Sequence, residues 1–235
     1  MSSSRASIIL IGNELLSGRV RDENLPYLAG ELWSCGVRVE RAEIVRDEES
    51  SIAEAVRRAS GSCDFVLTTG GIGPTHDDVT VAGVARAFGV PVECHPELAA
   101  RIRRHLGREP TDAELRMARV PRGAKLVGGA ATWPTIRVRN VYVLPGVPSI
   151  LVRKFEELRE IFRGPPFHRI SRGYRARETE LAPRLEQLAR AFPDLEIGSY
   201  PERDRVLVTV EGNDEATVAK AGEQLDLLAG DLPPA

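Results

Sequence analysis

Two adjacent carboxylates, Asp77 and Asp78, follow a loop with three glycines, Gly70, Gly71 and Gly73. In Gly70-Gly71-Ile72-Gly73 few side chains shield the backbone N–H groups, which suits close approach of a phosphate or pyrophosphate. Two acids beside such a loop repel that guest unless a cation stands between them. A divalent metal bridging carboxylate and phosphate oxygens does so, and can also activate water. Asp77 and Asp78 are therefore candidate metal ligands and candidate catalytic groups, and His76 is a candidate ligand or acid–base group. A plainer reading fits the same residues. Acids are favoured in a helix's first turn, and Asp78 stands three positions after Thr75, the spacing of a capping box. The residues alone leave both readings open. They do exclude two phosphate motifs, since neither the Rossmann glycine pattern nor the Lys-Ser/Thr ending of a P-loop is present.

Other stretches converge on the same chemistry. Gly12-Asn13-Glu14-Leu15-Leu16-Ser17-Gly18 follows the first apolar run as Gly70 follows the third. In a parallel sheet both loops lie on one rim, where α/β sites form. Gly12, Asn13 and Glu14 are thus candidates for the same site, with Glu14 the catalytic one. Asn24 opens the next helix, as a cap or as a pocket residue. Pro145-Gly146-Val147-Pro148 ends another strand and either walls a pocket or makes a rigid turn. No nucleophile triad is visible.

The elements that position these residues read as strand–helix units. Ala6–Ile11 is continuously apolar, as a strand buried on both faces requires. A helix is expected from Asn24 to Cys35, a strand over 37–45, and a helix to Ser60 capped by Ser51 and Glu54. A strand follows over 64–69, then a helix capped by Thr75 and ending at Gly89. Three such units in under 90 residues predict a parallel α/β architecture. Beyond lie a brief strand at 90–92, a helix over 96–106, and a helix over 112–119 boxed by Thr111 and Glu114. Strands are expected at 124–127, 136–138 and 141–144, then a helix from Pro148 to about Phe162. Gly164-Pro165-Pro166 is the expected boundary, giving domains 1–164 and 165–235. The second reads β-α-β-β-α, a small α+β domain, with a frayed tail after Asp231.

Composition limits the function classes. The chain has 235 residues, 32 basic against 34 acidic, and a formal charge of -2. That balance gives no global attraction to nucleic acid or an anionic membrane. Five arginines, Arg163, Arg169, Arg172, Arg175 and Arg177, occur without an intervening acid. They read as a solvated face or as a phosphate patch, with little aromatic interleaving for nucleic-acid binding. Cys35, Cys63 and Cys94 have no metal or redox spacing. No segment reaches spanning length and no signal peptide is apparent. The expectation is a cytoplasmic protein with a small-molecule ligand and neither nucleic-acid nor membrane partners.

In Ile11–Gly18, Asn24, Thr68–Thr80 and Leu144-Pro145-Gly146-Val147-Pro148, the chain resembles the molybdopterin-binding (MoCF) domain of the competence/damage-inducible CinA family, the resemblance covering residues 5–162. Gly73–Thr80, His95-Pro96-Glu97-Leu98 and Arg139–Pro145 are especially similar to the MoCF-type domain attached to eukaryotic FAD synthases. The region after 166 resembles the α+β segment that follows it there. The resemblance implies a MogA-like three-layer α/β sandwich around a mostly parallel sheet, assembled as a homodimer or homotrimer. It implies a metal-dependent nucleotide pyrophosphatase acting on ADP-ribose or an FAD-like dinucleotide, with Mg²⁺, Mn²⁺ or Co²⁺. The alternatives it allows are a molybdopterin or nucleotide binder without turnover, and a pterin adenylyltransferase. Carried over, Gly70, Gly71, Gly73 and Thr75 cradle a phosphate, Asp77 and Asp78 hold the metal or orient the attacking group, and Glu14 and Asn24 face them. Two departures stand out. Ala130-Ala131-Thr132-Trp133-Pro134-Thr135 replaces a Gly-Thr-Ala-Pro-Gly-like loop, and Ser149-Ile150 follows Pro148 where a glutamate is usual.

Overall fold

The computed structural model describes residues 4–129 and 132–235. The chain divides into two compact units, Met1–Gly164 and Pro165–Ala235. In the first, β1 (Ser4–Ile11) is followed by α1 (Asn13–Leu16), α2 (Asn24–Ser34), β2 (Val37–Val45), α3 (Glu49–Ser60), β3 (Phe65–Thr69) and α4 (Thr80–Phe88). Then come β4 (Val92–Cys94), α5 (Pro96–Leu106), α6 (Asp112–Leu115), β5 (Arg119–Pro121), β6 (Lys125–Val127), β7 (Thr135–Val138), β8 (Val141–Leu144) and α7 (Pro148–Leu158).

Six strands form one sheet in the order β2-β1-β3-β8-β7-β6. The first four are mutually parallel; β7 runs antiparallel to β8, and β6, antiparallel to β7, points the same way as the first four. Strand alternation explains the unbroken apolar run of β1. Ile8 and Leu10 point to a core shared with Leu28 and Leu32 of α2 and with Leu151, Phe155 and Leu158 of α7. Ile9 and Ile11 point to the opposite core, shared with Ile52 and Val56 of α3, Val84 of α4 and Leu98 of α5. The expected three-layer sandwich with a mostly parallel sheet is therefore present. The chain reverses direction at one rim after β1, β3 and β8, so the three loops that leave those strands are neighbours there.

The second unit contains β9 (His168–Tyr174), α8 (Glu178–Ala191), β10 (Glu196–Pro201), β11 (Val206–Gly212) and α9 (Glu215–Leu228). Its antiparallel sheet has the order β10-β11-β9. Val206, Val208 and Val210 pack with Leu181 and Leu188 of α8 and Ala221 and Leu225 of α9. Among the described residues no helix is long and apolar enough to cross a membrane.

Several local expectations are corrected. Helix α3 starts at Glu49, and Ser51 bonds Glu48 Oε2 at 3.1 Å instead of capping it. The Thr111–Glu114 capping box forms, but α6 ends at Leu115 and gives way to a 3-10 turn at Arg116–Ala118. The brief strand expected at 90–92 lies at Val92–Cys94. The tail after Asp231 is tied down: the Arg175 N–H donates to Pro233 O at 2.9 Å and the Ala235 N–H to Gly173 O at 3.0 Å. Of the arginine run, Arg163 pairs with Glu160, Arg169 with Glu211 and Arg172 with Asp226, so much of it is a solvated, ion-paired face.

Candidate functional site

A cavity of about 730 Å³ opens at the rim beyond β1, β3 and β8. Glu14, Asn24, Gly70, Gly71, Gly73, Asp77, Asp78, Pro145 and Gly146 all line it. Gly12, Asn13 and Thr75 are not among the lining residues. The Asn13 N–H donates to Asp47 Oδ2 at 2.7 Å. A Cβ on Gly12 would lie 2.4 Å from Glu14 Oε1, so Gly12 makes room for the Glu14 carboxylate to fold back over the end of β1.

The glycine loop is held tightly. Gly70 has φ +100°, and a Cβ there would lie 2.2 Å from the Ile11 carbonyl oxygen. Only glycine accommodates both demands. Thr80, fully buried, donates its hydroxyl to Gly70 O at 2.8 Å, and its N–H donates to Gly71 O at 3.1 Å. Gly146 approaches from β8, where a Cβ would come within 3.1 Å of Gly70 Cα. Among the described residues, no backbone or side-chain acceptor takes the N–H of Gly71, Ile72 or Gly73. These donors suit an anion.

Asn24 ties the rim together. Its side chain is 6% exposed. Nδ2 donates to Thr69 Oγ1 at 3.0 Å and to Gly146 O at 2.8 Å. It is not the cap of α2, because Asp22 accepts from the Asn24 N–H at 3.2 Å and the Leu25 N–H at 2.9 Å. Asn24 Oδ1 is buried and has no partner among the described residues. Such an atom on a cavity wall marks a place where a ligand or water completes the bonding.

Thr75 does not cap α4, which begins at Thr80 after Val79. Instead the Thr75 N–H donates to Asp78 Oδ2 at 2.8 Å, and the Thr75 hydroxyl contacts the same oxygen. That closes a free-standing turn. The Thr75 hydroxyl, then its own backbone N–H, hold the exposed Asp77 carboxyl below its ordinary range, helped by His76. One hydroxyl carries one proton, so Thr75 serves Asp77 or Asp78 at any moment, and its contact with Asp78 is the closer. His76 is almost fully exposed and lies 3.9 Å from Asp77.

Carboxylates dominate the charge of the wall: Glu14, Asp22, Glu23, Asp47, Asp77 and Asp78 against Arg21 and Lys154. Lys154 is the feature that sequence reasoning missed. Its side chain is 8% exposed, and Nζ donates to Thr132 Oγ1 at 2.6 Å and Glu157 Oε2 at 3.0 Å. Burial pushes the Glu157 carboxyl up, but hydrogen bonds from the Thr132 hydroxyl, Lys154 and the Gly129 N–H outweigh it and hold the group below its ordinary range. The signal was a lysine inside the apolar stripe Leu151-Phe155-Leu158 of α7, where a charge needs a buried partner. Within the altered loop, Ala130 and Ala131 lie outside the described residues, while Trp133 lines the cavity.

Residues 7–163 match the family model described as a probable molybdopterin binding domain. Residues 166–230 match the FAD synthase middle domain. A protein of Archaeoglobus fulgidus is 38% identical over 227 residues, covering 95% of this chain and 97% of that one. A probable FAD synthase of Caenorhabditis elegans is 32% identical over 263 residues, covering 97% of this chain and 50% of that one, so the chain spans half its length. The crystal structure of CinA from Thermoplasma acidophilum, there called a protein of unknown function, superposes with a TM-score of 0.63 at 31% identity. It covers 68% of this chain and 98% of that one.

Proposed function

Since the chain belongs to the family of probable molybdopterin binding domains, we propose that its cavity binds a phosphorylated pterin or a dinucleotide of the ADP-ribose or FAD kind, and that with a divalent cation it hydrolyses the pyrophosphate. The observation that carries the reading is the meeting of the side-chain-free glycine backbone and the exposed Asp77 carboxylate on one cavity wall.

Charge supports a cation. Several carboxylates face the cavity and Lys154 is already engaged by Glu157, so a pyrophosphate entering alone meets repulsion. The donors fit a hard ion. Among the described residues there is no cluster of three or more His, Cys, Asp or Glu side chains. Mg²⁺ is commonly held by one or two carboxylates together with substrate phosphates and water. Asp77 and the remaining oxygen of Asp78 suit an ion that arrives with its nucleotide. When bound, that ion neutralises phosphate charge and lowers the pKa of water.

The chain's own residues supply the rest. The loop at Gly70, Gly71 and Gly73 fixes one phosphate. Asn24 keeps the β3 and β8 ends together by its bonds to Thr69 and Gly146. Glu14, folded over Gly12, accepts the proton of the attacking water. Water oxygen bonds to phosphorus, the bridging P–O bond breaks, and two phosphomonoesters leave: AMP and ribose 5-phosphate from ADP-ribose, or AMP and FMN from FAD.

Binding without turnover is the second reading, and one observation favours it: Asp78 Oδ2 is already taken by Thr75. Incubation with ADP-ribose, FAD, NAD and ATP, with and without Mg²⁺, Mn²⁺ or Co²⁺, separates the two. AMP released only with metal supports hydrolysis. Tight binding with no AMP under any condition supports the second reading.

A further inference from the structure

Between β6 and β7, Gly129 and Thr132 are braced from both helical layers. From α5, Arg101 Nη1 donates to the carbonyls of Gly129 at 2.9 Å and Thr132 at 2.8 Å. From α7, Lys154 Nζ reaches Thr132 Oγ1 at 2.6 Å, while Glu157 accepts from the Thr132 hydroxyl at 2.6 Å and the Gly129 N–H at 3.1 Å. Gly129 also packs directly on Pro134, where a Cβ would come within 2.6 Å. Trp133 is the next residue after Thr132.

Trp133 packs against the core cluster on the α5 side and also lines the cavity. It is the one aromatic ring among the lining residues. Met117, Val147 and Ile150 line the same cavity, and each is an exposed large apolar side chain. Apolar groups left in solvent around an indole make a surface for a flat ring rather than for another phosphate.

We propose that Trp133 is the stacking platform of the cavity, selecting ligands in which a fused nitrogen heteroaromatic ring is joined to the phosphate held by the glycine loop. The inference rests on the proposed phosphate-ligand reading of this cavity. Flavin, pterin and purine share the required chemistry, and a sugar phosphate without a base lacks it. The braces on Thr132 anchor the backbone beside Trp133, and its partial packing on the core limits the freedom lost on binding.

The test measures binding of FMN, AMP and ribose 5-phosphate in the presence of Mg²⁺, by calorimetry and by quenching of flavin fluorescence on the indole. Trp133→Leu is expected to weaken FMN and AMP by about 5- to 150-fold, the range for losing one ring-stacking contact. Ribose 5-phosphate binding is expected to stay unchanged, which also reports an intact site. Trp133→Phe, which keeps a ring, is expected to restore most of the affinity. Equal FMN affinity in wild type and Trp133→Leu overturns the platform while leaving the phosphate reading in place. Failure of wild type to bind any of the three overturns the phosphate reading and the platform with it.

Discussion

Asn24 and Thr69 are 45 residues apart and share a buried hydrogen bond of 3.0 Å. With the second bond from Asn24 to the Gly146 carbonyl, one amide joins α2, the end of β3 and the turn after β8. Asn24→Ala leaves the partner groups unpaired inside the rim. The expected loss is about 2–4 kcal/mol of unfolding free energy, read by urea denaturation. Asn24→Asp keeps the shape but has no N–H to offer Gly146 O, and is expected to lose a comparable amount. A loss under about 0.5 kcal/mol in both variants contradicts this role.

Gly70 and Gly30 make opposite predictions. Gly70→Ala combines φ +100° with a Cβ 2.2 Å from Ile11 O, and the loop has to move. A cost above about 3 kcal/mol is expected. Gly30 lies in α2 with nothing within 4 Å of a Cβ. Gly30→Ala is expected to gain about 0.5–1 kcal/mol. Thermal melts of the two variants check both signs, and equal effects would show that the glycine loop is not under the constraint described.

Glu157 predicts a pH dependence. Its carboxyl is held below the ordinary range in the folded chain, despite burial, by Thr132, Lys154 and Gly129. A depressed folded pKa contributes stability present above the unfolded value and lost as pH falls through the folded one. Glu157→Gln is therefore expected to be less stable than wild type by about 1–2 kcal/mol at neutral pH. That gap should close progressively below about pH 4.3. Denaturation curves from acid to neutral pH measure it, and a gap independent of pH contradicts the assignment.

The fold was readable wherever short-range pattern decided it. Strand β1 showed a continuous apolar run because both of its faces are buried, and the glycine loops marked the strand ends. Local pattern failed where distant partners took over. The Asn24 amide was drawn away from capping by Thr69 and Gly146, leaving Asp22 to cap α2. Thr75 and Asp78 carry a capping-box spacing, yet they close an independent turn and α4 starts at Thr80. Lys154 escaped notice because its partners, Thr132 and Glu157, meet it only after β6, β7 and α7 assemble. The departure at Trp133 was visible in the sequence, but the three side chains that brace its loop were not.

The central claim is tested most directly by AMP release from ADP-ribose in Mg²⁺, comparing wild type with Asp77→Asn. Asp77 is largely exposed, so its amide should fold normally. The account predicts AMP and ribose 5-phosphate from wild type, none when the metal is chelated, and at least about a hundredfold slower release from the variant with binding largely kept. No AMP from wild type with Mg²⁺, Mn²⁺ or Co²⁺, or equal rates in the two proteins, contradicts it.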